Sequence, residues 1–340
     1  MLILGIETSC DETSASVVED GINIRSNIIA SQVDIHKKYG GVVPELASRR
    51  HVENINIVIN QSLEEGRVSL NDIDAISVTV GPGLVGALLV GLSVAKGIAY
   101  AKGVPLIGVN HLEGHILSIF IERPQIEFPF MALIVSGGHT DLYLVHRVGD
   151  YHLLGRTRDD AAGESFDKVA NMLGLWYPGG PIIEKIAEGR DPKRLDFPRA
   201  YLGKDSLDFS FSGVKTSVRN YLKEKGIPRD GDGSPSIGDI SASFQEAVID
   251  VLTSKVIKAS KIEGVKTIVI AGGVASNKRL RMRITETGEK EGLKVYYPSP
   301  LLCTDNAAMI ACAGYYRYID DKRLCYDLLN MDAEPNMRLG

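Results

Sequence analysis

Residues 2–14 read LILGIETSCDETS, an apolar run that opens into a turn of small, hydroxyl-bearing and acidic residues. Residues 132–145, ALIVSGGHTDLYLV, repeat the plan with glycines in the turn, and residues 266–277, KTIVIAGGVASN, set glycines directly after a third apolar run. A strand that ends in Gly, Ser or Thr lets backbone N–H groups and hydroxyls approach phosphate oxygens closely, because no bulky Cβ intervenes. Taken singly, each is equally well an ordinary strand ending. Three in one chain point to a nucleotide held by an α/β protein of two related lobes.

The remainder of the chain extends that reading. Short apolar runs at residues 2–6, 75–80, 106–109, 130–135, 142–146, 267–271 and 294–296 read as strands. Residues 42–63, 84–101, 113–120, 167–174 and 240–262 carry helical spacing, and such alternation predicts α/β layering. A chain of 340 residues exceeds the roughly 250–300 that one core usually supports. The stretch IERPQIEFPF, residues 121–130, has two prolines and no helical period, so it is the expected linker. The domains are therefore expected at residues 1–125 and 126–340, with the C-terminal segment a candidate to pack back on the first. Residues 227–239, IPRDGDGSPSIGD, read as an exposed loop.

The charge pattern excludes several classes. With 38 Lys and Arg against 43 Asp and Glu, the net charge is -5, which argues against coating nucleic acid by bulk charge. An RNA contact must then be a confined patch or be shared with a partner. Candidates are Arg49 and Arg50, and Lys215 with Arg219 on one helix face, each of which also reads as a solvated basic surface. The opening residues have no basic segment, and Glu7 interrupts the apolar run too early for a signal peptide, so a cytoplasmic protein is expected. The apolar run at residues 84–95 is followed by Lys96, short of the roughly 18–20 residues a spanning helix needs, so no membrane segment is expected. Cys10, Cys303, Cys312 and Cys325 form no C-x-x-C pair and read as reduced, mostly buried thiols.

Two glycine motifs and one histidine pair remain. Residues 86–93, GALLVGLS, place Leu92 where a Walker loop needs Lys, so a P-loop NTPase is not indicated. Residues 81–86, GPGLVG, match G-x-G-x-x-G between a strand and a helix, but no acid follows about 20 residues on. A tight packing turn and NAD binding both remain open there. His111 and His115 in NHLEGH are four apart, so on a helix both imidazoles project from one face within reach of one metal ion. A solvated pair of histidines is the competing reading. Glu113 does not occupy the H-E-x-x-H position, which leaves a metallopeptidase poorly supported. A third ligand is needed, and Asp305 in CTDNAA is one candidate that spacing alone does not assign.

Taken together, GIETSCDET (residues 5–13), GGVVPELASRRH (40–51), GPGLVGALLVG (81–91), NHLEGH (110–115), VSGGHT (135–140), DDAAGESFDKVA (159–170), YPGGP (177–181), FSFSGVKT (209–216), AGGVASN (271–277) and CTDNAAM (303–309) resemble the TsaD/Gcp family of tRNA adenosine threonylcarbamoyltransferases. The resemblance spans nearly the whole chain and looks like the bacterial form without a fused kinase. It implies the two-lobed actin, Hsp70 and sugar-kinase (ASKHA) fold with a nucleotide in the cleft. It further implies transfer of an AMP-activated threonylcarbamoyl group to N6 of adenosine 37, in tRNAs reading codons that start with A. By the same resemblance, His111, His115 and Asp305 hold one Fe2+ or Zn2+ ion per subunit. Ile134, Val135, Ser136, Gly137 and Gly138 meet threonylcarbamoyl-AMP, with Asp167, Gly180, Asn277 and Glu184 around its ribose and adenine. Glu184 stands where some members have Asp. TsaB-like and TsaE-like companions are implied, as is a homodimer or heterodimer. For such a reaction Asp11 or Glu12, after the first turn, would accept the amine proton as general base, unless that acid only caps a helix. Besides a metallopeptidase, the competing class is a non-catalytic actin-like nucleotide switch, which needs no metal histidines.

Overall fold

The strand β1 (Leu2–Glu7) is buried from Ile3 onward. In the computed structural model, which describes residues 1–203, 205–227, 235–321 and 330–340, it turns back through residues 8–11 into β2 (Glu12–Glu19), which pairs with β3 (Asn23–Ser31), both antiparallel. On its other side β1 runs parallel to β4 (Ala75–Gly81), and β4 parallel to β5 (Leu106–Asn110). The resulting sheet has the order β3-β2-β1-β4-β5. Between these strands lie α1 (Val33–His36), α2 (Pro44–Gly66) and α3 (Val85–Lys102), and after β5 come α4 (His111–Leu117) and α5 (Ile119–Glu122).

Alternation along β1 sets the layers, because successive side chains point to opposite faces. Leu4 and Ile6 join Val17, Ile55, Val58, Ile59, Val78, Leu92 and Ala95 in one core between the sheet and α2 and α3. Each fully buried aliphatic side chain there contributes roughly 1.5–3 kcal/mol. The helix α3 is 18 residues, long and apolar enough to cross a membrane by length and composition, because it continues through Lys96 instead of stopping at it. The shortness expected for this run is therefore corrected. Its buried residues Ala87, Leu88, Gly91, Leu92, Ala95 and Ala99 form one stripe, and α3 packs on α2 and β4.

The second sheet comprises β6 (Phe130–Val135), β7 (Thr140–Arg147), β8 (Asp150–Arg156), β9 (Thr267–Ala271) and β10 (Lys294–Tyr296), ordered β10-β9-β6-β7-β8. Its β6 is antiparallel to β7 but parallel to β9. The helices α6 (Ala162–Met172), α7 (Gly179–Ala187), α8 (Ser212–Lys225), α9 (Ile237–Glu263) and α10 (Lys278–Lys290) accompany it. In α9, Ser236 and Asp239 form a reciprocal capping box and Gly264 closes the helix in the left-handed region. Phe166 of α6 meets Phe244 of α9 edge to face at 5.1 Å. The chain closes with α11 (Pro300–Cys303) and α12 (Ala307–Asp320).

Two compact units result, Met1–Phe128 with His146–Tyr151 and Pro298–Gly340, and Pro129–Val145 with His152–Tyr297. In the first unit α12 covers the sheet face opposite α2 and α3, and a Cβ on Gly5 would lie 2.3 Å from the Ala307 carbonyl oxygen. Glycine is required at Gly5 by that approach. All seven expected strands are present, whereas β2, β3 and β8 lay outside the expectation. The strand β2 escapes a hydropathy reading because it is buried on both faces yet carries Ser14 and Ser16, whose hydroxyls donate to the Ile28 and Ser26 carbonyls of β3. Of the expected loop at 227–239, residues 228–234 lie outside the described residues, as does Cys325, and residues 237–239 instead open α9 because Ser236 caps it; Cys303 and Cys312 are buried and Cys10 is half-buried.

Candidate metal centre and glycine turns

Helix α4 starts at the carboxyl end of β5 because Asn110 caps it, its side-chain oxygen accepting from the Leu112 N–H at 2.8 Å. The cap fixes where the first turn begins, and so where His111 and His115 project. Their rings pack edge to face at 4.7 Å. Both Nε2 atoms converge on one oxygen of Asp305, 3.5 Å from His111 and 3.2 Å from His115. Asp305 comes from the loop between α11 and α12. The structure thus brings together the three residues that spacing alone could not, with their ligand atoms within 4.8 Å of one another. Two imidazoles and a carboxylate suit a borderline divalent ion such as Zn2+ or Fe2+. His115 turns its Nε2 toward Asp305 at 3.2 Å, so that is the nitrogen offered to the cluster. The donor set therefore fits the implied ion.

The two histidines differ electrostatically. Burial works to lower the pKa of His111, but Asp305 and Glu7 overcome it and hold the imidazole up at about 9. Burial dominates at His115 and lowers its pKa, with the neighbouring His111 adding to the effect. The proton of the pair thus belongs to His111, which faces two carboxylates, and a divalent cation would displace it.

Along the sequence Glu7 does no more than interrupt an apolar run. In the fold it is fully buried, with its carboxylate 3.2 Å from His111 Nδ1. Glu113, which lacks the H-E-x-x-H spacing, faces elsewhere, accepting from the Tyr151 hydroxyl at 2.8 Å and from Arg317 at 3.3 Å. Asp11 sits in the turn after β1, and Glu12 opens β2, so neither caps a helix. Burial, with Asp11 and Asp305 nearby, pushes the Glu12 carboxyl up to about 10.

The residues expected around the adenylate all lie in the second unit. Ile134 and Val135 end β6 and are buried; Ser136, Gly137 and Gly138 form the turn that follows. That turn is closed by the Ser136 N–H donating to the His139 carbonyl at 2.8 Å. The turn after β9 lies beside it, since β6 and β9 are parallel neighbours, and crevices outside the carboxyl ends of such strands are where α/β proteins bind ligands. Gly272 is in a backbone region open to glycine alone, φ 91° and ψ 163°, and its Cβ would meet the Val135 carbonyl oxygen at 2.6 Å. By contrast a Cβ on Gly137, Gly138, Gly180 or Gly273 would meet nothing within 4 Å.

Three further expected contacts have structural duties of their own. Asp167 accepts from the Gly179 N–H at 2.7 Å, fixing the start of α7. Glu184 accepts from the Lys278 N–H at 2.6 Å. Asn277 caps α10 through its side-chain oxygen and donates to Gln245 at 2.8 Å. Among the basic candidates, Arg49 and Arg50 are exposed and pair with Glu45 and Glu53. Lys215 is not a free basic face: its ammonium ion pairs with Asp160, which also holds Lys168, while Arg219 is exposed. GPGLVG is a packing turn, since a Cβ on Gly83 would lie 2.6 Å from the Ser9 carbonyl oxygen and one on Gly81 2.0 Å from that of Glu334.

Comparison with known proteins converges on one assignment. The family model TsaD, tRNA N6-adenosine threonylcarbamoyltransferase, matches residues 23–312. A Clostridioides difficile (strain 630) protein of that name is 53% identical over 340 residues, covering 100% of this chain and 99% of the relative. One from Geotalea uraniireducens (strain Rf4), also of that name, is 58% identical over 316 residues, covering 93% and 91%. Among solved structures, full-length HypF in a phosphate- and nucleotide-bound form superposes with TM-score 0.61 at 14% identity, over 94% of this chain and 56% of that one. Component A of the Acidaminococcus fermentans (R)-2-hydroxyglutaryl-CoA dehydratase superposes with TM-score 0.56 at 17% identity, over 94% and 99%. These two likenesses show the fold, the actin, Hsp70 and sugar-kinase class.

Proposed function

Since the chain belongs to the TsaD family and is a tRNA N6-adenosine threonylcarbamoyltransferase, we propose that it takes the threonylcarbamoyl group from threonylcarbamoyl-AMP and delivers it to adenosine 37 of tRNAs reading codons that start with A. The observation that carries this reading is the convergence of His111, His115 and Asp305 on one point. These residues would hold one Fe2+ or Zn2+ ion, which when bound supplies a Lewis acid and an anchor for the oxygens of the threonyl moiety.

The remaining chemistry falls to the chain itself. The donor is an activated carbonyl with a good leaving group, so what is needed is placement of a weakly nucleophilic amine and support for developing charge. The open turns at Ser136–Gly137–Gly138 and Gly273 give backbone N–H groups access to the phosphate, while buried Ile134 and Val135 hold the turn's stem. Asp167, Gly180, Glu184 and Asn277 frame the nucleoside, largely by fixing helix starts. As the new N–C bond forms and the C–O bond to AMP breaks, the N6 proton passes to Asp11 or Glu12, the two carboxyls that follow the first turn. A peptidase reading gains nothing from Glu113, whose carboxylate is tied to Tyr151 and Arg317.

The reaction belongs with tRNA in the cytoplasm, and the net charge of -5 favours help from TsaB-like and TsaE-like partners in gripping RNA. Exposed Val52 and Ile57 of α2 and Val85, Leu89 and Tyr100 of α3 offer apolar surface for one of them. The test is to supply the protein and partners with threonylcarbamoyl-AMP and unmodified tRNA, then assay the nucleosides by mass spectrometry. The wild type yields the modified adenosine. His111→Ala falls to background with an unchanged melting temperature, and normal modification by that variant would refute the role of the metal centre.

A further inference from the structure

Glu7 has no part in the transfer chemistry, yet it stands fully buried behind the metal centre at the end of β1. One of its carboxylate oxygens accepts from the Ser9 N–H. The other accepts from the Thr79 hydroxyl on the neighbouring strand β4 and faces His111 Nδ1 at 3.2 Å. Ser9 Oγ lies at the same distance from that nitrogen. Across the ring, His111 Nε2 points at Asp305. Glu7 is therefore on the far side of the imidazole from the ligand cluster, which it does not join. His115 has no counterpart, its Nδ1 being buried without a partner.

We infer that Glu7 is a positioning residue for the metal centre, holding the His111 ring so that Nδ1–H donates to the carboxylate and Nε2 is presented to the ion. The physical case is that a buried carboxylate costs several kcal/mol unless it is well paired, so a buried acid with three donors on it is explained by what those donors need. Only the imidazole among them has a second functional nitrogen. A carboxylate behind a ligating histidine fixes its tautomer and ring orientation and raises its basicity. Thr79 completes the arrangement by anchoring the carboxylate from a second strand. Sequence spacing could not show this, because Glu7 and His111 are 104 positions apart. The inference rests on the metal-centre reading above.

The test titrates Co2+ alone into the metal-free full-length protein, following affinity and the cobalt absorption spectrum. Glu7→Gln is the informative change, because both carboxylate oxygens accept and an amide must turn its NH2 toward one of the donors. It should weaken Co2+ about 10–100-fold and shift the spectrum toward that of His111→Ala. In a His111→Ala background the same change should alter affinity by less than about twofold, since Glu7 acts through that ring. Glu7→Asp should restore part of the loss. Wild-type affinity in Glu7→Gln, or a further large loss in the His111→Ala background, would overturn the inference. Should Glu7→Gln fail to fold, Thr79→Val decides instead: a loss of about threefold to tenfold supports the role, and unchanged affinity refutes it. If His111→Ala itself binds Co2+ like the wild type, the metal-centre reading fails, an outcome distinct from failure at Glu7 alone.

Discussion

The candidate metal site and the glycine turns are built on opposite plans. Around His111 the first unit gathers Glu7, Asp305 and His115, ionisable side chains that are buried or mostly so. Around residues 136–138 and 272–273 the second unit removes side chains, and space opens over Gly137, Gly138 and Gly273. The difference follows from the ligand each suits. A divalent cation needs lone pairs at fixed points, which only side chains braced by other side chains provide. A phosphate needs N–H donors and room, which bare backbone provides. The first plan spends conformational freedom on desolvated charge, and the second on backbone geometry.

That contrast can be broken at several points. The largest effect on stability is expected from Gly272→Ala, where a glycine-only conformation costs about 1–3 kcal/mol and the overlap with the Val135 carbonyl adds to it. A fall of many degrees in melting temperature would check this. A pH effect of intermediate size is expected in the first unit. His111 is held at about 9 against an ordinary 6.5, so its contribution to the metal-free fold is complete below pH 6.5 and lost as pH rises through 9. Co2+ affinity should rise over the same window as the cation displaces that proton. Glu12, held at about 10 against an ordinary 4.5, favours the folded state in its protonated form, and stability declines between those values. Glu12→Gln, which mimics the protonated acid, should flatten that decline in melts taken from pH 5 to 9. The smallest effect on stability is expected from Gly138→Ala, within about 0.5 kcal/mol, because its Cβ meets nothing. The same variant should raise KM for threonylcarbamoyl-AMP with little change in kcat. Unaltered KM would mean that the open turn does not face the donor.

Much of the architecture was legible along the chain. Apolar runs predicted seven strands, six of them largely buried and rich in Val, Ile and Leu while Lys294–Tyr296 is neither, and NHLEGH predicted a helix carrying two histidines on one face. The serine-bearing strand β2 was not legible, since hydroxyls satisfied by a neighbouring strand imitate a polar loop. Nor was the fate of Lys215, whose spacing suggested an exposed basic face but whose ammonium is held by Asp160.

By itself the sequence determined what depends on near neighbours: the alternation of α and β, the glycine turns, the i and i+4 histidines, and the motif set that marks the family. Tertiary structure alone decided which distant residues meet. It carried Asp305 to within 3.2 Å of His115 across 190 positions and set Glu7 behind His111. It also explained Gly5, which is small because α12 crosses it. The physical reason is range: hydropathy period and capping act over a few residues, whereas desolvation, ion pairing and close packing depend on distances that only the closed fold defines.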